Sequence, residues 1–266
     1  MRFEIDPPRS RALAWLAAAI GVLFGAAGAP GAASAAAADL PVATKLIALV
    51  PSQGCDLAKL QPKLEAAGRA LVGNRQATRV VLDWPADPAR NLDLMGRPSP
   101  VVAALEVTAN GRLLGGLAKL VRNGLGSTCP VQTYFVHERR LASTARTWPL
   151  GEPAPEAKTM TLLTRKPGVT SGEFNAAWSG PHAELALGWR AAVGKPAAHY
   201  VQNLVVGRFG DATPPLDGIG EGADQPGPVG EVERAARMKT AQHGQTFIDV
   251  AATRMFVARE TILKGD

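Results

Sequence analysis

Phe174, Trp178 and His182 recur at four-residue intervals. On an unbroken helix that spacing puts all three on one face. An imidazole on such a face could serve as a general acid or base near neutral pH. The plainer alternative is a buried histidine that bonds backbone and fixes the helix. Asp217 and Glu221 are the carboxylates that could orient the ring or trade a proton with a substrate. Asp217 precedes Gly218, so a simple turn also accounts for it, and Glu221 reads equally well as a water-facing residue. Tyr200 and Asn203 share a strand-like run, and their odd separation points them to opposite faces, so at most one can line a cavity. Phe174, Trp178 and Trp189 read either as core or as the wall of a ligand pocket. His137, His199 and His243 are dispersed, and no His, Cys or carboxylate pair has metal-ligand spacing. Phosphate-cradling glycine loops and the nucleophile elbow of serine hydrolases are missing too. The expectation is a site without metal or bound cofactor.

The elements that would hold these residues form one pattern, run twice. In the first run Lys45–Val50 is a short apolar strand. Leu57, Leu60, Leu64, Ala67 and Leu71 follow at helical spacing. Thr78–Trp84 and Val101–Thr108 read as strands, Leu113 to Val121 as a helix, and Val131–Glu138 as a closing strand. Pro149, Pro153 and Pro155 mark an exposed junction over 148–157. In the second run the strand is Thr159–Lys166, and Thr170 with Glu173 forms a capping box. Pro181 should break or kink the helix that follows. Strands at Tyr200–Phe209 and Asp217–Asp224, a helix at Val229–Gln242 and a strand at Met255–Leu263 complete it. Lys45 matches Lys158, Glu106 matches Glu221, and Phe135-Val136 match Phe256-Val257. Each β-α-β-β-α-β run predicts a four-stranded antiparallel sheet with helices on one face. The bare faces must be covered, and two such units in one chain can cover each other. The fold class is therefore α+β, two ferredoxin-like units forming a pseudo-dimeric barrel. The units span 40–147 and 158–266.

In that topology the first and fourth strands of a unit are antiparallel neighbours. Cys55 lies just past the first strand and Cys129 just before the fourth, so the topology brings the two thiols together. A disulfide is expected, provided the chain meets an oxidising compartment. Residues 1–39 suggest that it does. Arginines, then an uncharged run over Ala12–Ala29, then Ala33-Ser34-Ala35 give the layout of a secretory signal peptide. An uncleaved anchor over residues 12–29 is the alternative, and would be the only tie to a membrane. A periplasmic or secreted location follows from the first reading. The net charge of +6 comes from scattered Lys and Arg mixed with acids. We read it as a solubility feature rather than a nucleic-acid surface.

The second run, over about 158–262, resembles the EthD family of the dimeric α+β barrel superfamily. The matching residues are Lys158–Arg165 with Lys166-Pro167-Gly168, then Glu173-Phe174, Trp178 and His182. After them come His199-Tyr200-Val201-Gln202-Asn203, Asp217-Gly218-Ile219 with Glu221, Phe247-Ile248-Asp249, and Phe256-Val257 with Glu260. Two departures stand out: Gly222-Ala223-Asp224 replaces a bulky aromatic segment, and Pro181 precedes the helix histidine rather than following it. The first run carries the topology without these letters. The resemblance implies a small hydrophobic organic compound as ligand, bound or transformed without a cofactor, in oxidoreductase-associated or cyclase and decarboxylase-like chemistry. His182 would be the acid/base group and Glu221 its partner, with Phe174, Trp178, Tyr200 and Asn203 as ligand contacts. The rival is a non-catalytic exported binding or scaffold protein that keeps only the fold. Either would be a monomeric pseudo-dimer or a homodimer.

Overall fold

A computed structural model describes residues 42–265 apart from 90, 94–95, 126–128, 193, 195–198, 211–214 and 224–229. The expected signal segment, its cleavage sites and the alternative anchor lie outside the described residues. The first half runs β1 (Lys45–Pro51), α1 (Leu57–Gly73), β2 (Ala77–Pro85), β3 (Val101–Ala109), α2 (Leu114–Leu125) and β4 (Gln132–Ser143). The second runs β5 (Lys158–Leu163), α3 (Ser171–Ala177), α4 (Ala183–Ala192), β6 (His199–Phe209), β7 (Gly218–Ala223), α5 (Glu231–Phe247) and β8 (Arg254–Lys264).

The strands close into one barrel in the order β1-β3-β2-β8-β5-β7-β6-β4, every pair antiparallel. Within each half the order is that of a ferredoxin-like sheet, as the element pattern predicts. The halves meet at two seams, β2 with β8 and β4 with β6. Alternation along the strands makes two layers. From β1, Ile47 and Leu49 enter the barrel interior with Tyr134, Met160, Ile219 and Phe256. Leu46, Ala48 and Val50 turn outward to α1 and α2, against Leu60, Leu64, Leu117 and Val121. In the second half Leu163, Phe174, Trp178, Leu204 and Phe247 fill the space between sheet and helices.

Three expectations need correction. The register puts Val136 opposite Lys45 and Ala258 opposite Lys158, so Val136 corresponds to Ala258 and not to Val257. A one-residue slip matters because it reverses every side chain between the faces. The proline-rich stretch is exposed at every residue but Trp148 and Ala154, as expected, yet it is not a bare junction. The Gly151 and Ala154 amides donate to the Ile262 and Glu260 carbonyls, and Ala154 is buried. It runs along β8 beyond the start of β5. Pro181 does not break its helix either. Trp178–His182 forms a π-helical turn that joins α3 to α4, and such a wide turn tolerates the missing amide.

Cys55 and Cys129 form the expected disulfide, with Cα atoms 5.5 Å apart. A disulfide suits an oxidising compartment. Among the described residues no helix is long and apolar enough to cross a membrane.

Candidate functional site

Two places gather groups capable of chemistry, one inside the barrel and one in the second helix layer. The interior place starts from strand ends. Lys45 opens β1 and Lys158 opens β5, both pointing inward at the same end of the barrel. Glu106 of β3 and Glu221 of β7 meet them there. Lys45 Nζ contacts Glu106 and lies 2.8 Å from Glu221 Oε1. Lys158 Nζ lies 2.7 Å from Glu106 Oε1 and 3.0 Å from Glu221 Oε2. The four groups form a ring of alternating charge. Glu138 flanks Lys45 at 2.8 Å, and Glu260 flanks Lys158 at 3.2 Å. Asp83 Oδ1 is 3.0 Å from Lys158, and His199 Nε2 is 3.2 Å from Glu221.

All four ring residues are 4% exposed or less. Burial works against the Lys45 charge, but Glu106, Glu221 and Glu138 outweigh it and hold the ammonium above its ordinary range. Burial also opposes the Glu221 charge, and the two lysines overcome it and keep the carboxylate ionised. Asp83 goes the other way. Burial, followed by the nearby Glu106, pushes it well above the usual carboxylate range despite Lys158. Glu106 is held down to about 2.

The barrel's internal repeat puts Asp83 where the second half carries an amide. Asp83 sits opposite Ala104, and Asn203 sits opposite Ile219, at the corresponding place in the second half. The Asn203 amide donates to Glu221 Oε1 at 2.7 Å. Its counterpart Asp83 could donate in that way only when protonated, which agrees with the upward direction of its pKa.

The second place lies between the α3–α4 helix and α5. Thr170 caps α3 with Glu173, as the capping box predicts. Phe174 and Trp178 are buried, their ring centroids 5.5 Å apart. Phe174, His182 and His243 all approach the buried Phe247 ring, at 5.6, 5.5 and 5.4 Å. The shared face of Phe174, Trp178 and His182 thus survives Pro181. Gly218 is required beside it, because a Cβ there would lie 2.6 Å from the Trp178 ring. His182 and His243 are half-buried, with their Nδ1 atoms 3.4 Å apart. Burial, and then His243, lowers the His182 pKa to about 4, so the ring is uncharged at neutral pH.

The structure therefore separates the expected pair. Glu221 is neither the partner of His182 nor water-facing; it is committed to two lysines, Asn203 and His199. The partner of His182 is His243, which the spacing of histidines did not single out. Asp217 is a turn carboxylate that accepts from the Arg165 amide at 2.8 Å and its guanidinium at 2.9 Å. It lines an open groove of about 610 Å³ with Arg165, Val205 and Leu216. Tyr200 and Asn203 do face opposite ways. Tyr200 accepts from Gln202, whose amide also holds the Trp178 carbonyl, while Asn203 enters the ionic ring. Among the described residues no group of three or more His, Cys, Asp or Glu is arranged to hold a metal. The signal for the ionic ring was present: Glu106 interrupts the apolar run of β3, and the Lys–Glu pair recurs in both halves.

No family profile matches the chain, and no curated protein sequence matches it. Solved structures do. An anthrone oxidase-like protein aligns over 84% of this chain and 94% of its own, at 9% identity and a TM-score of 0.53. A monooxygenase candidate from Lactobacillus acidophilus NCFM aligns over 84% and 97%, at 9% identity and a TM-score of 0.46. A chlorite dismutase candidate aligns over 83% and 95%, at 9% identity and a TM-score of 0.42. At these identities the likeness concerns the fold alone, which is that of dimeric α+β barrel proteins.

Proposed function

We propose that the chain is an EthD-like barrel protein that binds a small hydrophobic organic compound beside the second helix layer. His182 is its proton-handling group. The observation that carries this reading is a half-buried imidazole set at the rim of a cluster of aromatic rings, where burial lowers its pKa to about 4. Such a ring accepts a proton without first having to lose one. The occurrence of the fold in an anthrone oxidase-like protein supports an aromatic or polycyclic ligand. Export is part of the proposal, supported by the layout of residues 1–39 and by the Cys55–Cys129 bond. Both seams close within one polypeptide, so the monomer is taken as the working unit. The division into units at 40–147 and 158–266 belongs to the same reading.

A second reading has its own support. Phe174, Trp178 and Phe247 are buried against one another, which suits a filled core and a protein that keeps the fold as a scaffold.

Thermal shift against a panel of aromatic ketones and phenols separates the two. The binding reading expects stabilisation by some members, lost in His182→Ala while the unliganded Tm stays close to wild type. Binding should be constant around neutrality and weaken as the pH approaches about 4, where the ring takes its own proton. A blank panel, together with a steep drop in the Tm of His182→Ala, would establish the scaffold instead.

A further inference from the structure

The His182–His243 contact has a definite shape. The ring centroids are 5.6 Å apart and the two Nδ1 atoms 3.4 Å apart. The difference is close to two ring radii, so both nitrogens lie near the line joining the ring centres. The ring planes differ by only 30°. The imidazoles therefore meet edge to edge, nitrogen toward nitrogen, and are not stacked face on face. That geometry is an N–H···N hydrogen bond. In an uncharged pair it forces opposite tautomers. One ring carries its proton on Nδ1 and leaves Nε2 bare. The other accepts at Nδ1 and carries its proton on Nε2. The pair is held from below by Phe247, which both rings approach edge-on or tilted, and by Gly244 against the His182 ring.

We propose that His182 and His243 work as a two-ring proton wire between the bound compound and water, with His243 as the outer member. This rests on the ligand-binding reading above. In the resting wire His182 carries its proton on Nδ1 and His243 on Nε2. The ligand's O–H bond, or a C–H bond next to a carbonyl, breaks, and the proton bonds to His182 Nε2. The ligand keeps the electron pair as an anion. The Nδ1 proton of His182 crosses to His243 Nδ1, and the Nε2 proton of His243 leaves to water. One proton enters, one leaves, and neither ring is charged at the start or the end. The same steps run backward return a proton to the product and restore the resting tautomers. The chemistry served is deprotonation and reprotonation of an acidic hydroxyl or enolisable carbonyl compound, which needs no oxidant.

The test is long-range ¹H–¹⁵N NMR of the full mature protein at neutral pH, without ligand. The expected result is His182 as the Nδ1–H tautomer and His243 as the Nε2–H tautomer. In His243→Phe, His182 should revert to the Nε2–H form. His182 found as Nε2–H in the wild type overturns the wire, as does a His182 tautomer indifferent to His243→Phe. These readings are independent of the ligand panel. A blank panel counts against the proposed function, whereas wrong tautomers beside intact ligand shifts count against the wire alone.

Discussion

The two halves of the barrel share one topology and spend their helix layers differently. In the first, α1 and α2 meet the sheet through leucine, valine and alanine, and a disulfide ties the approach to α1 to the approach to β4. In the second, rings replace aliphatics, a π-helical turn replaces a regular one, and two imidazoles sit at the rim. Where the halves meet, inside the barrel, they are nearly equivalent again. Lys45 mirrors Lys158, Glu106 mirrors Glu221, and Glu138 mirrors Glu260. The comparison separates roles: the common interior fixes the shape, and the helix layers diverge, toward aliphatic packing in one half and toward clustered rings with two imidazoles in the other.

Four experiments would break or sharpen that comparison. The largest effect is expected from Lys158→Met. It leaves Asp83, Glu106, Glu221 and Glu260 without their shared ammonium. Removing one partner of a buried ion pair costs about 3–5 kcal/mol. Urea denaturation should register it, and a loss near zero would mean that the ring is not what joins the halves. Next, Cys55→Ser with Cys129→Ser should cost about 2–4 kcal/mol, the usual range for closing a long loop. Limited proteolysis should then cut the first half before the second. Gly218→Ala should cost about 1–3 kcal/mol by overpacking, since the new methyl would press on the Trp178 ring. An unchanged Tm would mean that this layer has room to yield.

The smallest effect is expected from Asp83→Asn, which makes the two halves alike. The folded chain holds the Asp83 proton to higher pH than the unfolded chain does, so this group subtracts stability as the pH rises above its ordinary pKa. The amide removes that dependence. We expect stability within about 1 kcal/mol of wild type near pH 4 and a relative gain at higher pH. A large loss at neutral pH would mean that Asp83 is ionised.

The elements were legible because each has a local cause. Thr170 and Glu173 cap α3, Gly54 and Asp56 lead into α1, and β-branched alternation marks the strands. The disulfide followed from topology, once the first and fourth strands were neighbours. The ionic ring was not legible as a site. Lys45 and Glu106 were visible as marks of a repeat, yet no local pattern says that two lysines from different halves share the same two carboxylates. Only closure of the barrel brings them together. Glu221 misled for the same reason: its strand neighbours are glycine and alanine, as at a solvated edge, but β7 lies between β5 and β6 and faces inward. The π-helical turn was also hidden, because Pro181 signals a break and the alternative, a widened turn, depends on packing against α5.

β8 follows every other stave in the chain, and it is also a stave that the first half requires. Its eleven residues sit between β2 and β5, so the first sheet has an open side until β8 has been made. A product stopped after β4 would present bare edges at β2 and β4, with Lys45 deprived of Glu221 and Glu106 deprived of Lys158. Such a fragment should need a holdase or a second copy of the missing strands, and recombinant work on the first half alone should begin by supplying the complementary half in trans.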